Sequence, residues 1–511
     1  MQAENGAQLT PVAPVRVTVT FASDAGREYL YDDSTGMIFP WTQLREAVLD
    51  AYLGGKLEKE LDAIHREFGQ PETAATIRFV RKWAEKHGAF VRRHTQAAKP
   101  PSAVAAVEFI SSNSNQLTLI LTEDCNLRCR YCVYSGTYKY RRVHSPRRMP
   151  PELATHAIDW FIDLISPQLR RDPRKQVYLS FYGGEPLLNL PALRAALKHA
   201  QERYPGLLSI TMTTNGTHLT EEIVKMLVEH QVHIGLSLDG PQSEHDRERV
   251  DRSGRGTHAR ILKNLKSIRE NYPLYWREHL QAFSVYSYKS DLEAVATYFE
   301  QNEGIIPRCG RSFLVERGNS TYWQEATDDD YSRLSRSLRR LRDEYKEKLV
   351  NNARLRNFTE TVAGEPIRAI IFRSRLDDPV LPFLPFGTTC FPGYKIAVEV
   401  DGTLNMCERV DGSMPIGHLG TETEQGIDGQ RVRNIIDQYQ RKVFPACASC
   451  CVSRFCTFCY AHALLGGVIN PPSGDCATTA VGVKVSLREY VSIMELNPNA
   501  DLPFSSKEVR L

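Results

Sequence analysis

The sequence lacks any apolar run of about 18 residues, the length that a membrane-spanning helix requires. Residues 1–10 have neither the basic start nor the apolar centre of a secretion signal. These two absences predict a cytoplasmic protein with no membrane partner. An excess of one charge sign is also missing, because 64 basic residues nearly balance 61 acidic ones. The composition therefore implies no overall attraction to nucleic acid.

Cysteine, in contrast, is plentiful, with 12 residues in a chain of 511. Because the cytosol keeps thiols reduced, we expect metal-binding clusters rather than a disulfide framework. Three of the thiols, Cys125, Cys129 and Cys132, follow an apolar, β-prone run at 117–122. Thiolates at this spacing can hold three irons of a 4Fe–4S cube and leave the fourth iron open. Structural zinc is the weaker interpretation, since it prefers four ligands and paired cysteine spacings.

A second strand-like run, at 177–181, leads into Gly183, Gly184, Glu185 and Pro186. The two glycines let the backbone approach a ligand closely, the carboxylate can accept hydrogen bonds from an ammonium group, and the proline stiffens the exit. Alone, this run would be an ordinary turn. Beside the cysteine triplet it predicts a ligand site at the ends of two neighbouring strands.

Together these motifs resemble those of the radical S-adenosylmethionine (SAM) enzymes, which carry a Cys-x3-Cys-x2-Cys loop after the first barrel strand and Gly-Gly-Glu-Pro after the second. The resemblance implies a [4Fe–4S] cluster on the three cysteines and SAM held through its amino group by the glycine motif. It implies SAM cleavage to a 5′-deoxyadenosyl radical that takes hydrogen from the substrate, and a one-electron donor such as flavodoxin or ferredoxin. Further SAM contacts implied by similarity are Thr213, Asn215, Ser237, Arg317 and Tyr131. Turn-forming, helix-capping or solvated surface roles are the alternatives for these side chains.

Between residues 116 and about 318, short apolar runs alternate with longer amphipathic ones, which is typical of repeated βα units. We predict an α/β fold, a partial (β/α)6 barrel as the resemblance also implies, with its sites at the carboxyl ends of the strands. The predicted strands lie near 117–121, 177–181, 208–213, 234–238, 280–285 and 311–315. The predicted helices lie near 151–165, 191–204, 221–230, 258–271 and 291–303. We place the barrel at 116–325, after a linker at 96–115 and before a bridging region at 326–385 that begins with a long helix.

Residues 1–95 are predicted to form a separate α+β unit, with strands followed by three amphipathic helices. This order resembles the winged-helix-like leader-recognition domain that is fused to peptide-modifying radical SAM enzymes. The resemblance implies a free strand edge on which the leader of a precursor peptide docks. Nucleic-acid binding is the weaker alternative, because the third helix mixes both charge signs. Its charged residues are Arg78, Arg81, Lys82, Glu72 and Glu85.

Eight of the 12 cysteines lie after residue 385. Their spacing resembles the SPASM extension of radical SAM enzymes, which we place at 386–490, followed by a tail at 491–511. The resemblance implies two auxiliary iron–sulfur clusters. It assigns Cys390, Cys407 and Cys459 to cluster I, and Cys447, Cys450, Cys456 and Cys476 to cluster II.

Two features depart from the SPASM pattern: Cys456 and Cys459 are separated by two residues rather than three, and Cys451 is an additional thiol. Cys451 could complete cluster I or remain unligated. Zinc is an alternative at these positions, because Cys-x2-Cys pairs are also zinc-ribbon spacings. We interpret the remaining thiol, Cys309, as a core residue.

The resemblance implies a radical SAM oxidoreductase that modifies a ribosomally made precursor peptide. Thioether formation between a Cys sulfur and an unactivated carbon is the first expectation, because a cluster I with three protein ligands could bind a substrate thiolate. Carbon–carbon crosslinking and anaerobic sulfatase maturation, which forms formylglycine, are the alternatives. A non-enzymatic iron–sulfur scaffold would leave the Gly183–Pro186 motif without a purpose. Asp239, Glu316 and several tyrosines are candidates for acid–base work, and the sequence does not discriminate among them.

Overall fold

The structure, a computed structural model, describes residues 15–92, 100–315, 320–373, 375, 393–410, 412–419, 426–456, 458–472 and 474–500. Its first unit contains β1 (Val15–Arg16), β2 (Thr18–Ala22), β3 (Glu28–Asp32), β4 (Met37–Pro40), α1 (Gln43–Leu53), α2 (Leu57–Phe68), α3 (Gln70–Arg81) and β5 (Val91–Arg92). A π-helical turn, Lys82–Lys86, extends α3. Strands β2, β3 and β4 form an antiparallel sheet in that order, and β1 pairs with β5. The apolar faces of the helices bury Leu30 and Phe39 of the sheet, which confirms the predicted α+β unit.

The predicted linker at 96–115 is wrong for its second half, which forms helix α4 (Ala103–Asn113). Ser102 caps the helix by accepting a hydrogen bond from the Ala105 amide at 3.1 Å. Ala106 and Ile110 are fully buried in the main core. The Pro- and Ser-rich flanks indicated a linker, while the alanine-rich centre is a good helix former that the core stabilises.

The second unit is a barrel of six parallel strands. They are β6 (Gln116–Thr122), β7 (Val177–Gly183), β8 (Leu208–Thr214), β9 (His233–Ser237), β10 (Leu280–Tyr286) and β11 (Cys309–Leu314). The helices are α5 (Pro151–Arg171), α6 (Leu190–Arg203), α7 (Glu221–Glu229), α8 (Gln242–Glu248), α9 (His258–Asn271), α10 (Pro273–His279) and α11 (Leu292–Gln301). Leu119, Phe181 and Met212 stand side by side on neighbouring strands and are buried in the core. All six predicted strands are confirmed, whereas the short helices α8 and α10 were not predicted.

The C-terminal region continues the same sheet. Strand β12 (Lys395–Val398) pairs in parallel with β6, and β13 (Thr403–Asn405), β14 (Gly417–His418) and β15 (Gly426–Ile427) add antiparallel strands to give ten in all. The turn between β12 and β13 contains Asp401 and Gly402, with Gly402 at φ +92°. The predicted SPASM segment is therefore built onto the first barrel strand.

The remaining helices are α12 (Asp328–Val350), α13 (Asn357–Ile371), α14 (Gly429–Lys442), α15 (Phe444–Cys447), α16 (Tyr460–Ala463) and α17 (Asp475–Leu496), with a hairpin of β16 (Leu464–Leu465) and β17 (Val468–Ile469) before α17. Helix α17 packs against α12, α13 and β2. The predicted boundary at 490/491 falls inside this helix and is wrong. Among the described residues, no helix combines the length and the apolar character that crossing a membrane requires.

Candidate functional site

The loop after β6 brings the three barrel cysteines into one packed cluster. Cys125 and Cys129 are 8% and 9% exposed, Cys132 is half-buried, and all three pack with Leu127 and Tyr131. Burial, assisted by the charge of Glu185 and by the neighbouring thiols, raises the pKa of Cys125 to about 12. Backbone amides also reach the sulfur atoms, with Leu127 N 3.4 Å from Cys125 Sγ. Donors to sulfur of this kind support a bound iron–sulfur cluster.

Gly183 and Gly184 allow the end of β7 to lie against the cysteine loop. A Cβ atom at Gly184 would lie 2.1 Å from the Asp124 carbonyl oxygen, and one at Gly183 would lie 2.3 Å from the Thr122 carbonyl oxygen. Gly183 also has φ +142°, which favours glycine. The Glu185 amide donates to Asp124 O at 2.9 Å. We expected the two glycines to let the backbone approach a ligand closely. In the structure they let the end of β7 approach the cysteine loop closely.

Glu185 links the glycine motif to the end of β8. Its side chain is buried, and Oε1 accepts hydrogen bonds from Thr214 Oγ1 at 2.7 Å and from the Leu187 amide at 3.2 Å. Its Oε2 accepts from the Asn215 amide at 2.8 Å. Burial raises the pKa of Glu185, and these hydrogen bonds oppose that rise. Pro186 follows directly and opens a 3₁₀ turn.

Asn215 contacts the cysteine loop directly. Its Nδ2 donates to Asn126 Oδ1 at 2.9 Å and lies 3.9 Å from Cys125 Sγ. Its Oδ1 accepts from the Thr217 amide and hydroxyl. Asn215 therefore supports the loop that carries Cys125. Its predicted role as a SAM contact stays a prediction.

Thr213 and Ser237 lie half-buried on one face of the sheet. Thr213 pairs with Gly235, and Ser237 stands two residues farther along β9. It is the next residue, Thr214, that contacts Glu185. Side chains alternate along a strand, so which threonine faces Glu185 is set by the strand register, which the sequence does not show. Arg317 lies outside the described residues.

Tyr131 belongs to a buried polar cluster behind the cysteine loop. Its hydroxyl donates to Asp239 Oδ2 at 2.6 Å and accepts from Arg249 Nη1 at 2.6 Å. The other Asp239 oxygen accepts from the Val285 amide at 3.0 Å. Burial raises the pKa of Asp239, and the Arg249 charge opposes that rise. The sequence indicated Tyr131 and Asp239, but it gave no signal for Arg249, because a loop arginine is usually a surface residue.

The four cysteines predicted for cluster II lie near one another. Burial raises the pKa of Cys447, and Cys450, Cys456 and Cys476 add to the rise. Of the predicted ligands of cluster I, Cys407 donates to Glu408 Oε2 at 3.3 Å, Cys459 lies 3.6 Å from His462 Nδ1, and Cys390 lies outside the described residues, so this ligand set stays a prediction. Cys309 is buried in the core, as predicted.

The distances among the thiols of Cys125, Cys129 and Cys132 decide whether they could hold a single metal ion or an iron–sulfur cube. Within the described ranges, no three His, Cys, Asp or Glu side chains converge closely enough to hold a single metal ion. A four-iron cube fills the space between its ligands, so its thiolates lie farther apart than those of one ion. Two buried thiols and one half-buried thiol, with amide donors to sulfur, therefore fit a cube at Cys125, Cys129 and Cys132.

The N-terminal unit packs against the loop that carries Cys447 and Cys450. Arg92 donates to the Cys447 carbonyl at 2.6 Å and forms an ion pair with the buried Asp33. Asp33 also accepts from the Ser453 hydroxyl at 2.5 Å and from the Arg454 amide at 3.1 Å. The sequence predicted a separate unit, and this buried contact with the cysteine loop was missed.

A family model, the radical SAM superfamily, matches residues 119–275. The matched segment begins in β6 and includes the cysteine loop, the Gly183–Pro186 motif and the buried cluster around Tyr131. The chain carries a radical SAM domain. The cube and SAM are the cofactors that this domain implies.

Two curated relatives align with the domain. The radical SAM cyclopropyl synthase TigE of Paramaledivibacter caminithermalis is 25% identical over 161 residues, which are 30% of this chain and 33% of TigE. The cysteine-type anaerobic sulfatase-maturating enzyme of Clostridium novyi is 27% identical over 150 residues, which are 29% of this chain and 38% of that enzyme. The chain thus spans little more than a third of the length of these relatives.

The solved structure of hexahistidine-tagged anSMEcpe with bound AdoMet is similar to this chain, with a TM-score of 0.50 and 18% identity. The likeness covers 75% of this chain and 96% of that one. It shows a shared fold, and it confirms the predicted α/β class.

Proposed function

We propose that the chain is a radical SAM oxidoreductase that modifies a ribosomally made peptide. Cys125, Cys129 and Cys132 would hold the 4Fe–4S cluster. The observation that carries the proposal is the meeting of three strand ends, where Asn215 of the β8 end lies 3.9 Å from Cys125 Sγ and Glu185 of the β7 end bonds to the Asn215 amide. When bound, the cluster and SAM supply the one-electron chemistry that removes a hydrogen atom from the substrate.

The chain itself would hold and orient SAM. The Glu185 carboxylate has about four acceptor positions, and the described part of the chain fills three of them. The position left on Oε2 can accept a hydrogen bond from the SAM ammonium group. The hydroxyls of Thr213 and Ser237 are polar groups on the sheet face near the same strand ends, and Arg317 would bind the SAM carboxylate as the family resemblance implies.

For the reaction, we propose a thioether crosslink between a substrate Cys and an unactivated carbon. The new bond replaces one C–H and one S–H, so the peptide loses two hydrogens, one as a hydrogen atom and one as a proton. The remaining electron needs an acceptor, and an auxiliary iron–sulfur cluster, if held by the C-terminal cysteines, would supply one. Carbon–carbon crosslinking has the same hydrogen balance and is the alternative within this class.

Anaerobic sulfatase maturation is a second candidate, and the similarity to a sulfatase-maturating enzyme supports it as well as the TigE similarity supports peptide crosslinking. In that case the substrate would be a folding sulfatase, and the product would be a formylglycine.

The N-terminal unit is the proposed docking site for the peptide leader. Strand β4 is the outer strand of its sheet, and the half-buried rings of Phe79 and Trp83 flank Phe39 of this strand at 5.5 and 4.7 Å. The Trp41 amide bonds to the Glu28 carbonyl, so by the alternation of an antiparallel ladder the Ile38 N–H points away from β3. An extended peptide could therefore pair with β4 through Ile38.

The radical chemistry is tested by replacing Cys125, Cys129 and Cys132 together with Ala. We expect loss of 5′-deoxyadenosine formation in a dithionite-driven assay and a drop in iron per chain. Cys309→Ala is the matched control, because Cys309 is a buried thiol outside the site. Normal SAM cleavage by the triple variant would refute the proposal.

Leader docking is tested by Ile38→Pro, which removes the outward N–H and leaves the β3–β4 ladder intact. The probes are labelled peptides encoded by short reading frames beside the gene. We expect fluorescence anisotropy to show at least tenfold weaker peptide binding, with unchanged uncoupled SAM cleavage. Ile38→Val keeps the N–H and should bind as the wild type does. Equal binding by all three proteins would show that β4 is not the docking edge.

A further inference from the structure

A segment after β9 runs antiparallel along the cysteine loop. The Arg128 amide donates to the Val250 carbonyl at 2.7 Å, and the Arg130 amide donates to the Glu248 carbonyl at 3.0 Å. Leu127 and Asp251 form a bridge in the same register. This register places residue 249 opposite residue 129. Arg249 therefore faces Cys129, the central cysteine of the proposed cluster site.

Arg249 is a buried cation whose own charge is only partly compensated. The residue is 7% exposed, and its Nη1 donates to the Tyr131 hydroxyl at 2.6 Å. Its Nε is buried and has no hydrogen-bond partner among the described residues. The acid of this cluster, Asp239, is joined to the guanidinium through the neutral Tyr131 hydroxyl. A buried guanidinium with a free donor calls for an anion nearby.

The three cysteines become that anion when they hold a cluster, because the ligands are thiolates. The antiparallel register places Arg249 directly opposite one of these three ligands, Cys129. Asp239 and Arg249 bind the Tyr131 hydroxyl from opposite sides. The Arg249 guanidinium is therefore the charged group that faces Cys129.

We propose that Arg249 is a positioning residue that holds a fixed positive charge beside Cys129 and raises the reduction potential of the 4Fe–4S cluster, with Tyr131 and Asp239 fixing the guanidinium and partly offsetting its charge. The inference rests on the proposed function. Reduction adds one negative charge to the cluster, so a neighbouring cation stabilises the reduced form and a neighbouring anion destabilises it. Removing the two charges should therefore shift the potential in opposite directions.

The test is a redox titration of the reconstituted full-length protein followed by EPR. The signal of this cluster is the one that is missing from the Cys125, Cys129 and Cys132 triple variant. In R249Q we expect unchanged iron per chain and a reduction equilibrium about tenfold less favourable, which is about 59 mV more negative for one electron. In D239N we expect a shift to more positive potential. The matched control is R255Q, which removes an exposed arginine of the same segment and should leave the potential unchanged.

A second substitution separates charge from packing. R249K keeps the charge, and we expect it to keep both the iron and a potential close to that of the wild type. Equal potentials in iron-loaded wild type and R249Q, shifts of the same sign in R249Q and D239N, or loss of iron in both R249Q and R249K would each overturn the inference. A wild-type protein that takes up no iron at the three cysteines would instead overturn the proposed function, and the inference with it.

Discussion

Gly184 is the residue at which the two loops of the site come closest. A methyl group there would lie 2.1 Å from a backbone oxygen, and a backbone atom cannot move aside as a flexible side chain can. We expect Gly184→Ala to cost about 1–3 kcal/mol of folding free energy and to lower the iron content at the barrel cysteines. Thermal unfolding and iron counting measure both effects.

The control for this change is Gly482→Ala in α17, where an added Cβ meets nothing within 4 Å. In a helix, alanine is preferred over glycine, so this variant should be as stable as the wild type or more stable by about 0.5 kcal/mol. Similar losses of folding stability in the two variants would show that the close approach at Gly184 does not cause the loss.

His245 makes the stability of the barrel depend on pH. It is fully buried, Nδ1 accepts from the Asp239 amide at 3.3 Å, and Nε2 lies 3.1 Å from Thr257 Oγ1. Burial, together with the Arg249 charge, holds the pKa of His245 well below its usual value. Below about pH 6.5 the unfolded chain therefore binds a proton that the folded chain does not, and stability is lost as pH falls, by up to about 1.4 kcal/mol per pH unit.

This dependence is measured as the thermal unfolding midpoint between pH 5 and pH 8. We expect His245→Asn to be less stable than the wild type at pH 8 and to lose less stability on acidification. The comparison isolates His245, because other histidines with a lowered pKa, such as the buried His258, titrate in both proteins. Parallel pH curves would contradict the assignment.

At the scale of elements, the turn after β3 binds the C-terminal cysteine loop through the buried carboxylate of Asp33. Asp33 is buried and accepts hydrogen bonds from Arg92, Ser453 and the Arg454 amide. Replacing one partner of a buried ion pair leaves the other charge uncompensated, so we expect Asp33→Asn to cost about 3–5 kcal/mol and to release iron from the C-terminal cysteines. Thermal unfolding and iron analysis are the measurements.

Asp50→Asn is the matched control, because Asp50 forms an ion pair with Arg16 and its side chain is 62% exposed. An exposed pair contributes about 1 kcal/mol or less, so this variant should keep its iron. Equal effects of the two substitutions would mean that the interface does not support the cysteine loop. Removal of the whole N-terminal unit would also expose Phe455, whose ring packs against Tyr31. A point substitution on β4 leaves this contact in place and is therefore the better test of leader docking.

Elements that have a local sequence pattern could be predicted from the sequence. The six barrel strands are apolar runs that end in turn residues, and the cysteine loop follows the first of them directly. The pairing of β12 with β6 could not be predicted, because it joins residues about 280 positions apart and leaves no local pattern. The same holds for Arg249, whose place opposite Cys129 depends on the register of two loops.

At the scale of the whole molecule, one continuous set of contacts joins the proposed leader site to the radical site. The N-terminal unit contacts the loop of Cys447 and Cys450 through Arg92 of β5. The C-terminal strands in turn extend the barrel sheet from β12 to β6, which leads into the cysteine loop. A peptide held at β4 would therefore be tethered to a unit that contacts the C-terminal cysteine loop, in a chain whose C-terminal strands pair with the first barrel strand.

This arrangement leads to a prediction about the product. With the encoded precursor, SAM and a one-electron donor, we expect a peptide that has lost two hydrogens for each crosslink and has one fewer Cys available for alkylation, since the sulfur is held in a thioether. Mass spectrometry after thiol alkylation, with fragmentation to place the bridge, is the measurement, and the triple variant at Cys125, Cys129 and Cys132 is the control. Loss of two hydrogens with every Cys still alkylated would indicate a carbon–carbon crosslink. Loss of the Cys sulfur together with labelling by an aldehyde-reactive probe would indicate formylglycine, and with it a sulfatase maturase.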